Sequence, residues 1–198
     1  MLHMSKKLRI LVAQLNPVVG DIGGNLELAR GALAEGKAAG ADLVVLSELF
    51  ILGYPAEDLV LKPAAVEDSM QAVRDLAAET DGAPDIIIGS PWAEDGKRYN
   101  SAVWLSGGAI KGRYDKRELP NYGVFDEKRI FDAGDDDLPV FDFHGVKIGV
   151  AICEDIWYPR VPSLLHDAGA EMLIVPNGSP WRRTVQVERH TTFSAWRK

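Results

Sequence analysis

The spacing of apolar positions changes along the chain, and those changes predict its elements. LRILVAQL, residues 8–15, is a compact apolar run of the buried-strand kind, closed by Asn16-Pro17. Over 25–39, Leu26, Ala29, Leu33 and Ala34 recur at helical spacing until Gly40 stops the pattern. Asp42 to Leu46 forms a second strand-like run ending at Ser47-Glu48. LFILGYPAEDLVLKP then carries turn residues at Gly53-Tyr54-Pro55 and reads as a long irregular connection. Helical spacing returns from Ala64 to Ala78 (Val66, Met70, Val73, Leu76, Ala77), followed by the turn DGAP and a third buried strand, DIIIG. A strand-helix-strand-helix-strand opening favours a parallel or mixed sheet covered by helices.

The second half of the chain is patterned differently. YNSAVWLSGGAIKGRYDK holds two alternating runs about Gly107-Gly108, the signature of a hairpin. A second hairpin is expected in LPVFDFHGVKIGVAI, with His144-Gly145 at its turn and its outgoing strand running into Cys153. Residues 159–168 read as a short helix and EMLIVP as another buried strand. The expected architecture is a layered α/β fold with mixed strand directions, and neither a repeat nor a linker marks a second domain. After Pro180 the pattern fails. WRRTVQVERHTTFSAWRK has no clear apolar face and no cap, so it reads as a frayed terminal helix or a disordered tail, with composition favouring the tail.

Composition narrows the function classes. Twenty-two Lys and Arg against 29 Asp and Glu leave a net charge of −7, the wrong sign for non-specific binding to nucleic acid or an anionic membrane. No apolar run approaches the ~20 residues that cross a bilayer, and Leu8 to Ala13 is too short for a signal peptide, so a cytoplasmic protein is expected. The single cysteine, Cys153, excludes an internal disulfide and any metal site built on paired cysteines. The histidines at 3, 144, 166 and 190 show no ligand spacing, and no metal is expected.

Three unlike polar groups stand where predicted strands stop: Glu48 after DLVVLS, Lys116 after AIKGRYD and Cys153 after VKIGVAI. Ligands of open α/β sheets collect at the carboxyl ends of strands, so the three could converge on one pocket. Each alone has an ordinary reading. A lone cysteine is commonly a small buried hydrophobe, a glutamate a cap, and a lysine inside KGRYDKRE part of a solvated face. Together they suit nucleophilic catalysis, with Cys153 as nucleophile, Glu48 as its base and Lys116 as the cation facing an oxyanion. By charge alone, Glu154 and Asp155 beside the thiol oppose its ionisation, so its activation must come from elsewhere in the chain.

Longer motifs sharpen this. SELFILGYPAEDL, DKRELPNYGVFDEKRIF and VAICEDIWYP together resemble the nitrilase, or carbon–nitrogen hydrolase, superfamily, whose catalytic set is Glu, Lys and Cys in that chain order. More narrowly, AQLNPVVGDIGGN, GYPAEDL, LPNYGVFDEKRIF and CEDIW are similar to the glutaminase domains of glutamine-dependent NAD+ synthetases, over residues 8–180. The resemblance implies an αββα sandwich with mixed sheets. It implies Glu48 as general base, Lys116 as oxyanion-stabilising lysine and Cys153 as nucleophile, with Tyr122, Glu154, Ser179 and Tyr54 at or near a glutamine pocket. It also implies L-glutamine as substrate, a synthetase domain or subunit receiving ammonia, a homo-oligomer, and no cofactor for the glutaminase step, ATP and magnesium belonging to the synthetase part.

On this reading residues 1–180 are an incomplete glutamine amidohydrolase domain, lacking strands that would finish the sandwich, and 181–198 are a divergent, disordered or frameshifted tail. Two alternatives stay open: a stand-alone amidase acting on another small amide, and a catalytically silent subunit or scaffold. A dinucleotide site is disfavoured, because the glycines of GDIGGN fall at 20, 23 and 24 and do not match the required spacing. The run Ser106-Gly107-Gly108 is likewise rejected as a nucleotide loop, since Ala109-Ile110 follow it and it sits in a hairpin turn.

Overall fold

The computed structural model describes residues 7–135, 138–180, 183 and 185–194. Strands β1 (Ile10–Val12), β2 (Leu43–Val45), β3 (Asp85–Glu94), β4 (Lys97–Ser106) and β5 (Ala109–Asp115) form one sheet in sequence order. β6 (Val140–Phe143), β7 (Val146–Val150) and β8 (Met172–Ile174) form a second. Helices α1 (Ile22–Ala39) and α2 (Pro63–Ala78) precede β2 and β3, α3 (Glu127–Ile130) follows β5, α4 (Arg160–Asp167) precedes β8, and α5 (Val185–Ser194) follows it. Local chemistry sets the helix starts. Asp21 accepts the Gly24 N–H at the head of α1, and Pro63 opens α2, where its missing N–H costs nothing.

β1, β2 and β3 run parallel, whereas β3–β4 and β4–β5 are antiparallel. β6–β7 is an antiparallel hairpin and β8 joins β7 in parallel. Both sheets are therefore mixed, as expected. The long β3–β4 hairpin, turning at Asp95-Gly96, was not foreseen, because the third strand was expected to stop near Gly89. Its extension to Glu94 crosses Ser90 and Pro91, and the pairing with β4 overrides the weak strand propensity of that dipeptide.

Period-two alternation in the first sheet supplies two cores. Val44, Ile86, Ile88, Val103 and Leu105 pack under Ala29, Leu33, Val66, Val73 and Leu76 of α1 and α2. Leu43, Val45, Ile87, Ala102 and Trp104 point the other way, onto Phe141, Phe143, Ile148 and Val150 of the second sheet. α4 covers the far face of that sheet, where a side chain added at Gly149 would come within 3.0 Å of Leu165 Cδ2. The layers are thus helix, sheet, sheet, helix, the sandwich expected.

α5 occupies 185–194, which corrects the favoured expectation of a disordered tail in favour of a terminal helix: Val185 is buried and Phe193 packs against Trp157, contacts that composition does not show. Residues 181, 182, 184 and 195–198 of that tail lie outside the described residues. No helix among the described residues is long and apolar enough to cross a membrane.

Candidate active site

The topology brings the three candidate groups to one edge. β5 lies antiparallel to β4, which lies antiparallel to β3, so β2 and β5 end at the same side of the first sheet, delivering Glu48 and Lys116 together. A tight turn after β2 holds Glu48. A Cβ on Gly89 of β3 would stand 2.3 Å from Leu49 N and 2.4 Å from Ser47 O, so only glycine lets this turn lie against β3. The turn is anchored there by Leu46 N–H to Ile87 O (2.9 Å) and Ile51 N–H to Gly89 O (3.1 Å), with Leu49 in the left-handed region at φ 48°.

Glu48, Lys116 and a second carboxylate, Glu127, form one buried charge cluster. The Lys116 ammonium donates to Glu48 Oε1 at 2.7 Å and to Glu127 Oε1 and Oε2 at 2.9 and 2.8 Å. That commits all three of its protons. Glu48 Oε1 also accepts from Asn100 Nδ2 at 2.8 Å, and its Oε2 from the Gly178 N–H at 2.8 Å. Side chains of Lys116 and Glu48 are fully buried. Burying such charges costs several kcal/mol per ion unless they are paired and hydrogen-bonded; here all three ammonium protons and both lone pairs of Glu48 Oε1 are matched.

Burial lowers the Lys116 pKa, but the attraction of Glu48 and Glu127 outweighs it and holds the ammonium charged well beyond the usual lysine range. Glu127 is pushed up to about 7, chiefly by burial and by repulsion from Glu48, against the pull of Lys116.

Cys153 opens a 3₁₀ turn, Cys153–Ile156, directly after β7, and takes a left-handed φ of 45°. This strain is held by its N–H to Pro176 O (3.0 Å) and by Asp155, a fully buried carboxylate. Asp155 accepts from Ile152 N (2.8 Å), Arg117 N (3.1 Å), Glu118 N (2.8 Å) and the Tyr114 hydroxyl (2.9 Å). It therefore pins the thiol-bearing turn of one sheet to the chain just past Lys116 on the other, and is a structural clamp rather than a neighbour of the thiol's charge. Burial and Glu48 push the thiol up to about 12, with Lys116 and the Ser179 hydroxyl, 3.0 Å from the sulfur, pulling it down. A free thiolate at pH 7 would thus cost roughly 7 kcal/mol, and the carboxylate that hydrogen-bonds to the thiol, and so stands where it could accept its proton, is Glu48.

The sulfur faces a cavity of about 480 Å³ bordered by Tyr122, Phe125, Glu154, Tyr158 and Ser179. The Tyr122 hydroxyl donates to both Glu154 oxygens, at 2.9 and 3.0 Å. A neighbouring cavity of about 610 Å³ shares Val124, Phe125 and Pro180 with the first and reaches Glu127. Tyr54 lines this second cavity and not the one at the sulfur; its hydroxyl lies 3.5 Å from Glu127 Oε1, and its ring covers Gly178, where a Cβ would meet it at 2.6 Å.

The structure thus brings Glu48, Lys116 and Cys153 together, with Glu154, Tyr122 and Ser179 around the thiol. Sequence reasoning missed Glu127 and Asn100. Glu127 sits inside FDEKRIF, which looks like a solvated charge run. The available signal was Ile130, buried three residues later on the same short helix and followed by the buried Phe131, which marks the face that turns Glu127 inward.

The carbon–nitrogen hydrolase family pattern matches residues 9–195, a span that includes α5. The chain is 47% identical over 183 residues to the glutamine-dependent NAD(+) synthetase of Rhodobacter capsulatus, covering 91% of this chain and 32% of that protein. It is 40% identical over 172 residues to that of Thermotoga maritima, covering 87% and 30%. The structure of the Acinetobacter baumannii glutamine-dependent NAD+ synthetase superposes with TM-score 0.90 at 37% identity, covering 96% of this chain and 36% of that one. An amidase from Nesterenkonia sp. AN1, 23% identical and covered over 74% of its length, shares the fold at TM-score 0.83. The chain therefore spans about a third of the length of the synthetases it matches.

Proposed function

The chain belongs to the carbon–nitrogen hydrolase family, and from that membership we propose that it is a glutamine amidohydrolase domain supplying ammonia to a synthetase partner, as part of a glutamine-dependent NAD+ synthetase. The observation that carries the reading is the buried Glu48–Lys116–Glu127 network standing behind a thiol whose cavity is bordered by a carboxylate, Glu154. Glu154 suits the α-ammonium of an amino-acid amide, a charge-assisted contact that a plain aliphatic amide could not make.

Each residue then has a defined task. Cys153 passes its proton to Glu48 as the sulfur attacks the side-chain carbonyl carbon, so no free thiolate accumulates. Lys116 exchanges one of its two Glu127 contacts for the developing oxyanion. Glu48 returns the proton to the leaving nitrogen, the carbon–nitrogen bond breaks, and ammonia departs from a γ-glutamyl thioester. Water then gives a proton to Glu48 and attacks the thioester; the second tetrahedral species expels the sulfur, which takes back that proton, and glutamate is released. The step needs no cofactor of its own. We place the protein in the cytoplasm and as a homo-oligomer, with Tyr122, Ser179 and Tyr54 as secondary contacts of the site.

The test is covalent capture. An electrophilic diazo-ketone analogue of glutamine should add once, at Cys153, with intact mass as the readout, and free glutamine should suppress the adduct. Suppression by simple aliphatic amides but not by glutamine would overturn the glutamine assignment and leave a general amidase.

A further inference from the structure

Asn100, on β4, figures in the sequence only as part of a hairpin strand, yet it touches every part of the charge cluster. Its backbone carbonyl accepts the Lys116 N–H at 2.8 Å, its side chain is fully buried, and its Nδ2 donates to Glu48 Oε1 at 2.8 Å. The same amide lowers the Glu127 carboxyl by hydrogen bonding. Two facing carboxylates fix the orientation of this amide, since turning it over would set its oxygen against them. The consequence is visible on the other side: Asn100 Oδ1 is buried and accepts no hydrogen bond among the described residues. A buried acceptor left unmatched weakens the fold, and native structures keep few of them.

We propose that Asn100 is a positioning residue that reserves one oxygen of Glu48 for proton transfer. Oε1 accepts from both Lys116 and Asn100, which fills its two lone pairs. Oε2 accepts the Gly178 N–H and keeps a lone pair, and the Cys153 thiol hydrogen-bonds to this carboxylate, so Oε2 is the oxygen that takes the Cys153 proton. Without Asn100 the carboxylate gains a second open lone pair and a second way to face the thiol, and the two carboxylates share one donor fewer. The charged and titratable groups facing Glu48 are Lys116, Glu127, Cys153 and Tyr54. The proposal rests on the function above only in taking Cys153 as nucleophile and Glu48 as its base.

The test is the pH dependence of Cys153 alkylation by iodoacetamide, followed by intact mass; the chain has one cysteine, so one adduct reports one site. No amide turnover is involved, so a protein inactive on glutamine still answers the question. Asn100→Leu should slow alkylation at neutral pH by roughly ten-fold, the loss expected for one hydrogen bond to a charged group. It should also move the acid limb up by about one pH unit, because Glu127 loses the amide that holds its carboxyl down. Asn100→Ala, which leaves room for a donating water, should move the limb less, and it decides the matter if the leucine variant does not fold. A rate lowered by the same factor at every pH, or not lowered at all, in the folded variants overturns the proposal.

Discussion

The two sides of the thiol are built on opposite principles. Behind it, Glu48, Lys116, Asn100 and Glu127 are buried, rest on the first sheet, its strand ends and a short helix, and are joined by hydrogen bonds. In front of it, Tyr122 is 55% exposed and Val124 86%, on a loop between β5 and α3 that carries no regular hydrogen-bond ladder. A rigid, dry interior can hold reacting groups to within tenths of an ångström and makes each charge count; an exposed loop can adapt to a ligand but contributes little per contact. On the proposed function, the difference would assign rate to the back of the site and recognition to the front. Substitutions behind the sulfur should act on kcat, and those in front on KM.

The sharpest way to break that division is Lys116→Met. Losing the cation at an oxyanion should lower kcat at least roughly 10³-fold. It also leaves Glu48 and Glu127 buried without their counter-ion, which should cost about 3–5 kcal/mol of stability. Inactivity could then reflect unfolding alone. The double variant Lys116→Met with Glu127→Gln removes one charge of each sign and should recover most of the melting temperature while staying inactive. A double variant that regains activity along with stability would show that Lys116 is structural.

Glu127→Gln alone should have the next largest effect, and in two directions. It keeps the shape of the side chain but loses one strong contact to the ammonium, so kcat should fall roughly 10-fold with KM unchanged. Stability should shift the other way at alkaline pH. The folded-state pKa of Glu127, about 7, lies above its ordinary value of 4.5, so between those values the unfolded chain gives up a proton that the folded one retains. Parent stability must therefore fall as pH rises through that window, by up to about 3 kcal/mol, and level off above it. Denaturant midpoints from pH 4 to 9 should show this decline in the parent and a flatter curve in the variant. Equal slopes would mean that Lys116 keeps Glu127 ionised throughout.

How much of this could be read in advance follows from what each part depends on. Glu48, Lys116 and Cys153 were legible because each ends a strand, and strand ends are marked by a change from apolar to polar residues. The two hairpins about Gly107-Gly108 and His144-Gly145 were legible from turn chemistry. Asn100 was not, because it sits in mid-strand among alternating residues and becomes part of the site only through pairing of β4 with β5. Asp155 reads as a charge beside the thiol, when three of its four donors come from residues 37, 38 and 41 positions away. Such roles depend on contacts across the two sheets, which a linear pattern does not encode.

The smallest expected effect lies at the front. Tyr122→Phe removes the hydroxyl that donates to Glu154 and leaves the ring in place, edge-on to Phe125. Glu154 is itself buried but stays within reach of Tyr158, which also hydrogen-bonds to it, so the carboxylate is not stranded. A half-exposed hydrogen bond of this kind is worth no more than about 1 kcal/mol, because water takes the place of the lost donor. KM for glutamine should therefore rise roughly three-fold, with kcat and the alkylation rate of Cys153 unchanged. The alkylation rate is the decisive readout. If it falls together with affinity, Tyr122 orders the thiol-bearing turn through Glu154, and the front of the site is coupled to the back instead of independent of it.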